Sequence, residues 1–160
     1  MKRFQLRLLL SLSILVGAFS ATPAKAGVDL LNFQVGLIGA FPSGGSSQYF
    51  AQAAWTPYIG AGLIGLRGDF GVTWLKNGIG DRFLAVNTEA LVSLGFVPGF
   101  SLEAGGGLHN WIDNGGSDVA VTANAVFTAV PGIDRVFVGF SRFFLGSGVN
   151  EIRAGIGFNL

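Results

Sequence analysis

Over most of its length this sequence alternates, residue by residue, between bulky apolar side chains and polar or small ones. Toward the C-terminus Ile152, Ala154, Ile156, Phe158 and Leu160 interleave with Glu151, Arg153, Gly155, Gly157 and Asn159. The same period runs through Leu31, Phe33, Val35, Leu37, Gly39 and Phe41 against Asn32, Gln34, Gly36, Ile38 and Ala40. It returns in Leu84, Val86, Thr88, Ala90, Val92 and Leu94, and in Phe100, Leu102, Ala104, Gly106 and Leu108. A repeat of two puts each class on its own face of an extended strand; a helix would scatter both around its circumference. The chain is therefore committed to strands with two unlike faces.

Which face is buried depends on what surrounds the sheet. The N-terminus has the grammar of a secretory leader: Lys2, Arg3 and Arg7, an apolar run from Leu8 to Phe19, then Ala24-Lys25-Ala26. Cleavage is expected after Ala26, so residues 1–26 form the signal peptide and 27–160 the mature domain. Four of the ten Lys and Arg leave with the leader, so the mature chain carries six against nine Asp and Glu, a net −3. That balance offers no basic footprint for nucleic acid. With no Cys, both a lipid-modified cysteine and a disulfide framework are excluded.

Fifteen charges in 134 residues fall well below the roughly 25% usual in soluble domains. A surface so short of polar groups points to lipid as the medium outside. Only helices and closed barrels satisfy their backbone in a bilayer. Helical spans fail, because the uncharged stretch 30–66 is broken by Pro42-Ser43-Gly44-Gly45-Ser46-Ser47 and by Pro57. Strands with apolar residues outward and polar or small ones inward remain.

Turn-rich breaks fall at 42–47, 57–62, 76–82, 97–99, 112–118, 131–134 and 145–150. They predict an all-β, eight-stranded, antiparallel up-and-down transmembrane barrel, with strands over 30–41, 48–57, 64–75, 83–96, 100–111, 119–130, 135–144 and 151–160. The breaks carrying Pro57, Pro98 and Pro131 share the side of both termini and become the periplasmic turns. Aromatic girdles are expected from Trp55, Tyr58, Phe96, Phe100 and Phe158 at the inner rim. At the outer rim they are expected from Phe41, Tyr49, Trp74, Phe83, Trp111 and Phe144. Strand seven reads equally well with Val136, Val138 and Phe140 outward or with Phe137 and Phe143 outward, which leaves the direction of Arg142 open.

The inward face collects a polar set: Gln34, Gln52, Arg67, Asp69, Asn87, Glu89, Glu103, His109, Asn124 and Arg153. A loop centred on Ile79 would set Asp69 opposite Glu89, with Arg67 one step away. Carboxylates that close repel unless a cation bridges them or one is protonated. Because eight strands leave a lumen just wide enough for side chains, an ion-paired plug is expected.

The last residues, Arg153-Ala154-Gly155-Ile156-Gly157-Phe158-Asn159-Leu160, resemble the C-terminal signal of Gram-negative outer-membrane barrels. The matching positions are Arg153, Gly155, Phe158 and Leu160, the last standing where an aromatic is commoner. In length and strand count the mature chain resembles the small eight-stranded class of the OmpA transmembrane domain and OmpX. The resemblance implies export through the periplasm, insertion by the barrel-assembly machinery, and residence in the outer membrane among lipids and lipopolysaccharide, as a monomer. Contact with lipopolysaccharide would fall to Arg82 or Arg142.

No catalytic, cofactor or metal site is expected. Outer-membrane lipid A deacylases are small barrels with a His-x-Ser arrangement, whereas His109 is followed by Asn110 and Trp111. A single His without Cys lacks a metal-ligand cluster. Gly60-Ala61-Gly62 and Gly105-Gly106-Gly107 lack the Lys-Ser/Thr of a phosphate loop. The expected function is a non-enzymatic, envelope-structural or surface-interaction barrel with a filled lumen. Two rivals remain: a narrow, porin-like channel through gaps left by inward Gly36, Gly71, Gly105, Gly107, Gly155 and Gly157, and a soluble secreted barrel that binds an apolar ligand.

Overall fold

The computed structural model describes residues 27–41, 47–76, 82–112, 116–128, 133–144 and 149–160. The expected leader, residues 1–26, lies outside them. Among the described residues there are ten strand segments: β1 (Gly27–Asp29), β2 (Asn32–Phe41), β3 (Gln48–Trp55), β4 (Tyr58–Ala61), β5 (Ile64–Lys76), β6 (Arg82–Val97), β7 (Phe100–Trp111), β8 (Ser117–Phe127), β9 (Arg135–Phe143) and β10 (Asn150–Asn159).

These make eight staves. β3 and β4 pair with β5 in one unbroken register, from Phe50↔Leu75 to Tyr58↔Arg67, and so form a single stave interrupted at Thr56-Pro57. β1 lies beside β4 as β2 lies beside β3, which makes them a second interrupted stave. Every pairing is antiparallel, each stave neighbours the next in sequence, and β10 closes on β2 from Asn150↔Phe41 to Asn159↔Asn32.

The register fixes the cylinder. Followed from strand to strand, the ladder leaves Tyr58 for Arg67, Leu91, Gly105, Thr122, Ser141, Glu151 and Ala40. It returns at Gln48, ten residues along the stave from which it started. Eight strands with that stagger, at ~3.3 Å per residue and ~4.8 Å between strands, tilt by roughly 40° on a backbone cylinder of radius roughly 8 Å. A ten-residue strand then rises roughly 25 Å along the axis, the height of the apolar band of outer-membrane barrels.

The alternation read from the sequence becomes outside and inside. Leu37 (71% exposed), Val92, Val138 and Ile152 stand on the outer wall, while Gln34, Ile38, Asn87, Leu91 and Glu103 are buried within. This orientation is the reverse of what a soluble barrel holding an apolar ligand requires. At the loop end the lumen is stoppered by Ile38, Ala40 and Phe50, with Trp111 and Val149 packed on them.

Several boundaries differ from the sequence reading. The second turn is Gly62-Leu63, with Gly62 at φ 62°, rather than a break beginning at Pro57. Pro57 sits inside a stave, where its carbonyl accepts from Gly68 N at 2.9 Å. A missing N–H is tolerated there because the ladder is already interrupted. The Pro98-Gly99 turn is as expected, with Gly99 at φ 80° in the place a type II turn reserves for it. A bulge between Gly95 and Val97 adjusts the register above that turn. β8 begins at Ser117 and ends at Phe127, earlier than the expected 119–130.

Strand seven takes the reading with Val136, Val138 and Phe140 outward. Arg135, Phe137, Gly139, Ser141 and Phe143 are inside, and Arg142 is outside. Two girdle assignments are corrected. Tyr58 covers Gly60 and Gly65 and lies under the Arg67 guanidinium at 4.9 Å, on the inner wall. Trp111 faces inward onto Phe50, ring centroids 6.3 Å apart. The Phe83 side chain lies outside the described set.

Candidate functional site

All ten residues expected on the inner wall are buried there. Their carboxylates organise three hubs, each built from strands distant in sequence. At the first, Glu89 on β6 accepts from Arg153 of β10 (Nη2 to Oε2, 3.0 Å; Nη1 to Oε1, 3.3 Å). Its Oε1 also receives His109 Nε2 at 2.8 Å and Thr122 Oγ1 at 3.2 Å. Thr122 in turn shares a 2.9 Å hydrogen bond with Ser141. His109 packs edge-on against Phe143, at 4.8 Å between ring centroids.

The second hub is Glu103 on β7. Its Oε1 accepts Arg67 Nε from β5 and its Oε2 accepts Arg135 Nη2 from β9, both at 2.8 Å. Asn124 reaches the same Oε2 at 3.5 Å. Arg67 Nη1 also donates to Thr56 O at 3.0 Å, and the Arg135 guanidinium rests over Phe137 at 5.1 Å.

The third hub is Asp69, whose Cα lies directly opposite that of Glu89, the pairing expected from the sequence. The two carboxylates take separate partners. Asp69 receives the neutral donors Gln34 Nε2 at 2.6 Å and Asn87 Nδ2 at 2.8 Å, and Arg67 turns away to Glu103. Gln52 is buried with Nε2 lacking a partner.

Buried charges are tolerable only when paired and hydrogen-bonded, because desolvation costs several kcal/mol per ion. Glu103 and Glu89 meet that condition by sharing: Glu103 takes two guanidiniums and Glu89 takes one with the imidazole. At Gly36, Gly155 and Gly157 the space expected beside inward glycines is taken by side chains of β9. A Cβ on Gly155 would meet the Phe137 ring at 2.7 Å, and one on Gly157 would meet the Arg135 side chain. Gly105 and Gly107 are pressed against the Ala90 and Thr88 carbonyls of β6.

Arg135 belongs to this network and Glu151 is buried on the same wall; neither was in the expected set. Arg135 went unassigned because strand seven carries Phe on both faces. Gly139 and Ser141, small and polar at the same parity as Arg135, were the available signal. Glu151 stands on the polar side of the C-terminal alternation, at the strand's first turn, and is buried.

Among the described residues no nucleophile–base pair forms in the lumen. His109 and Thr122 both bond the same oxygen of Glu89 rather than each other, on the side of the wall away from lipid. No group of three or more metal-ligating side chains occurs among the described residues.

Residues of the C-terminal pattern also have places in the folded barrel. Arg153 serves Glu89, Gly155 makes room for Phe137, Phe158 stacks on Phe33 at 6.4 Å, and Leu160 N donates to Leu31 O at 3.2 Å.

This architecture matches solved structures. The Yersinia pestis outer membrane protein Ail, in a phospholipid bilayer nanodisc, superposes with TM-score 0.50 at 12% identity, over 81% of this chain and 99% of that one. The chain has the fold of a small outer-membrane barrel. The de novo designed protein TMB2.3 superposes with TM-score 0.53 at 13% identity, over 86% of this chain and 98% of that one. At these identities the likeness is one of fold. No protein-family model matches the chain, and no curated protein matches it.

Proposed function

We propose that the mature chain is a non-enzymatic outer-membrane barrel, closed to solute flow by its own side chains, with an envelope-structural or surface-interaction role. The observation that carries this reading is the sorting of charge. Arg67, Arg135, Arg153, Glu89 and Glu103 turn inward into ion pairs, and the outer wall of the mid-barrel is apolar. The signal-peptide grammar of residues 1–26 and the C-terminal pattern support export and assembly into the outer membrane.

Arg142 supports a surface role. It stands exposed on the outer wall near the loop end of β9, its guanidinium 5.8 Å from the Phe144 ring. A cation beside an aromatic belt suits the phosphates of lipopolysaccharide at the outer leaflet.

Two measurements test the reading. The membrane fraction, run unboiled and boiled on a detergent gel, is expected to show a mobility shift. Refolded protein in planar bilayers is expected to give no stepwise conductance. Regular current steps would instead establish the channel.

A further inference from the structure

At the end that carries the chain termini the first two staves fall out of step. Leu30, Leu31 and Asn32 separate Asp29 from Phe33, whereas only Thr56 and Pro57 separate Trp55 from Tyr58 beside them. The extra residue is a β-bulge, and a shift of one residue reverses the direction of every side chain beyond it. Strict alternation from Asn32 would turn Leu30 inward and Asp29 outward. Instead Leu30 and Leu31 are both exposed, at 53% and 57%, and Asp29 is buried. Trp55 Nε1 donates to Leu30 O at 2.6 Å and holds the bulge from outside. The bulge thereby takes a carboxylate off a face where Val28 and Ile59 are exposed.

Where it puts that carboxylate matters, because the ladder stops there. Beyond the pair Asn32↔Asn159, β1 is in register with β4 alone, and among the described residues no strand pairs with its other edge. Inward Asp29 reaches across this step. Its Oδ2 accepts Asn159 Nδ2 of β10 at 3.0 Å and Asn32 Nδ2 at 3.4 Å. Asn32 Nδ2 also donates to Asp134 Oδ2 at 2.7 Å, and Asn32 Oδ1 accepts from Thr56 Oγ1 at 3.1 Å. Backbone bonds run alongside: Leu160 N to Leu31 O at 3.2 Å, Asp134 N to Gly157 O at 3.0 Å and Thr56 N to Asn32 O at 2.7 Å. Asp29, Asn32 and Asp134 also border a cavity of about 680 Å³ at this end of the lumen, so the corner they tie is part of its wall.

We propose that the bulge and Asp29 form a latch, which holds the terminal end of the β2–β10 closure shut and whose release opens that corner while the mid-barrel stays intact. The rest of the closure is secured by ten paired positions, and the corner by side chains and single backbone bonds. Opening the corner breaks few hydrogen bonds and opening the barrel breaks many, so the two are separable.

The test uses full-length mature protein refolded into phosphatidylcholine nanodiscs, with amide hydrogen exchange followed by NMR. In Asp29→Ala the amides of Leu160, Asp134 and Thr56 are expected to exchange about tenfold faster, the loss of a hydrogen bond to a charged group. The mid-barrel ladder is expected to keep its protection. Asn159→Ala is expected to act in the same way, and the double variant to add little to either single one. Should Asp29→Ala fail to fold by the unboiled gel shift, Asn159→Ala, which leaves the bulge and the carboxylate in place, decides alone. Unchanged exchange at all three amides, a loss of protection shared by the whole barrel, or fully additive effects in the double variant overturns the proposal.

Discussion

Glu103 joins strands that are not neighbours, taking one guanidinium from β5 and another from β9 while standing on β7. Neutralising it strands two buried cations, so Glu103→Gln is expected to lower the unfolding free energy by about 3–5 kcal/mol. Urea titration of the barrel in lipid vesicles measures this; a loss within error would remove Glu103 from the centre of the network. Gln52→Leu is the contrasting case. Gln52 Nε2 is buried without a partner, so replacing the amide by an apolar group of similar shape is expected to be neutral or to stabilise by up to about 1 kcal/mol. Most of the inward polar residues were legible because apolar or small neighbours flank them in sequence. Their pairing was not, since side chains of Arg length reach across the lumen to partners that no local pattern names. Arg67 was expected beside Asp69 and Glu89 and is instead on Glu103.

At the scale of the strand, period and punctuation carried most of the information. They went astray where one residue type serves two purposes. Pro57 reads as a turn residue yet interrupts a stave without ending it, and Tyr58 and Trp111 read as interfacial aromatics yet close the lumen. The three tryptophans give a direct check. Trp55 and Trp74 are 42% and 51% exposed on the outer wall, whereas Trp111 faces inward. Single-Trp variants in vesicles of brominated lipid are expected to be strongly quenched when Trp55 or Trp74 remains and weakly when Trp111 remains. Equal quenching of all three would place Trp111 against lipid after all. The apolar face of β2 makes a companion case. Leu37→Arg puts a charge on the lipid side near mid-barrel, with an expected cost of about 2–4 kcal/mol in the same urea titration. A negligible cost would mean that this face does not meet hydrocarbon.

For the whole molecule, strand number and stagger together determine shape. A ladder that returns ten residues along its own stave requires strands inclined by roughly 40°. Polarised infrared dichroism of oriented bilayers should give that inclination, and strands near the membrane normal would contradict the register. The number of staves was readable from seven breaks. The stagger was not, because it depends on where each hairpin places its pivot, and the hairpin at Pro98-Gly99 carries a bulge that shifts it by a residue.

The bond from Asn159 to Asp29 spans 130 positions, and that from Arg153 to Glu89 spans 64. Neither exists until the first and final staves meet, and until then Glu89 has no guanidinium. An unzipped seam therefore leaves Glu89 with His109 and Thr122 as its donors and no guanidinium. The full charge compensation of that carboxylate is thus tied to the rolling of the sheet into a cylinder.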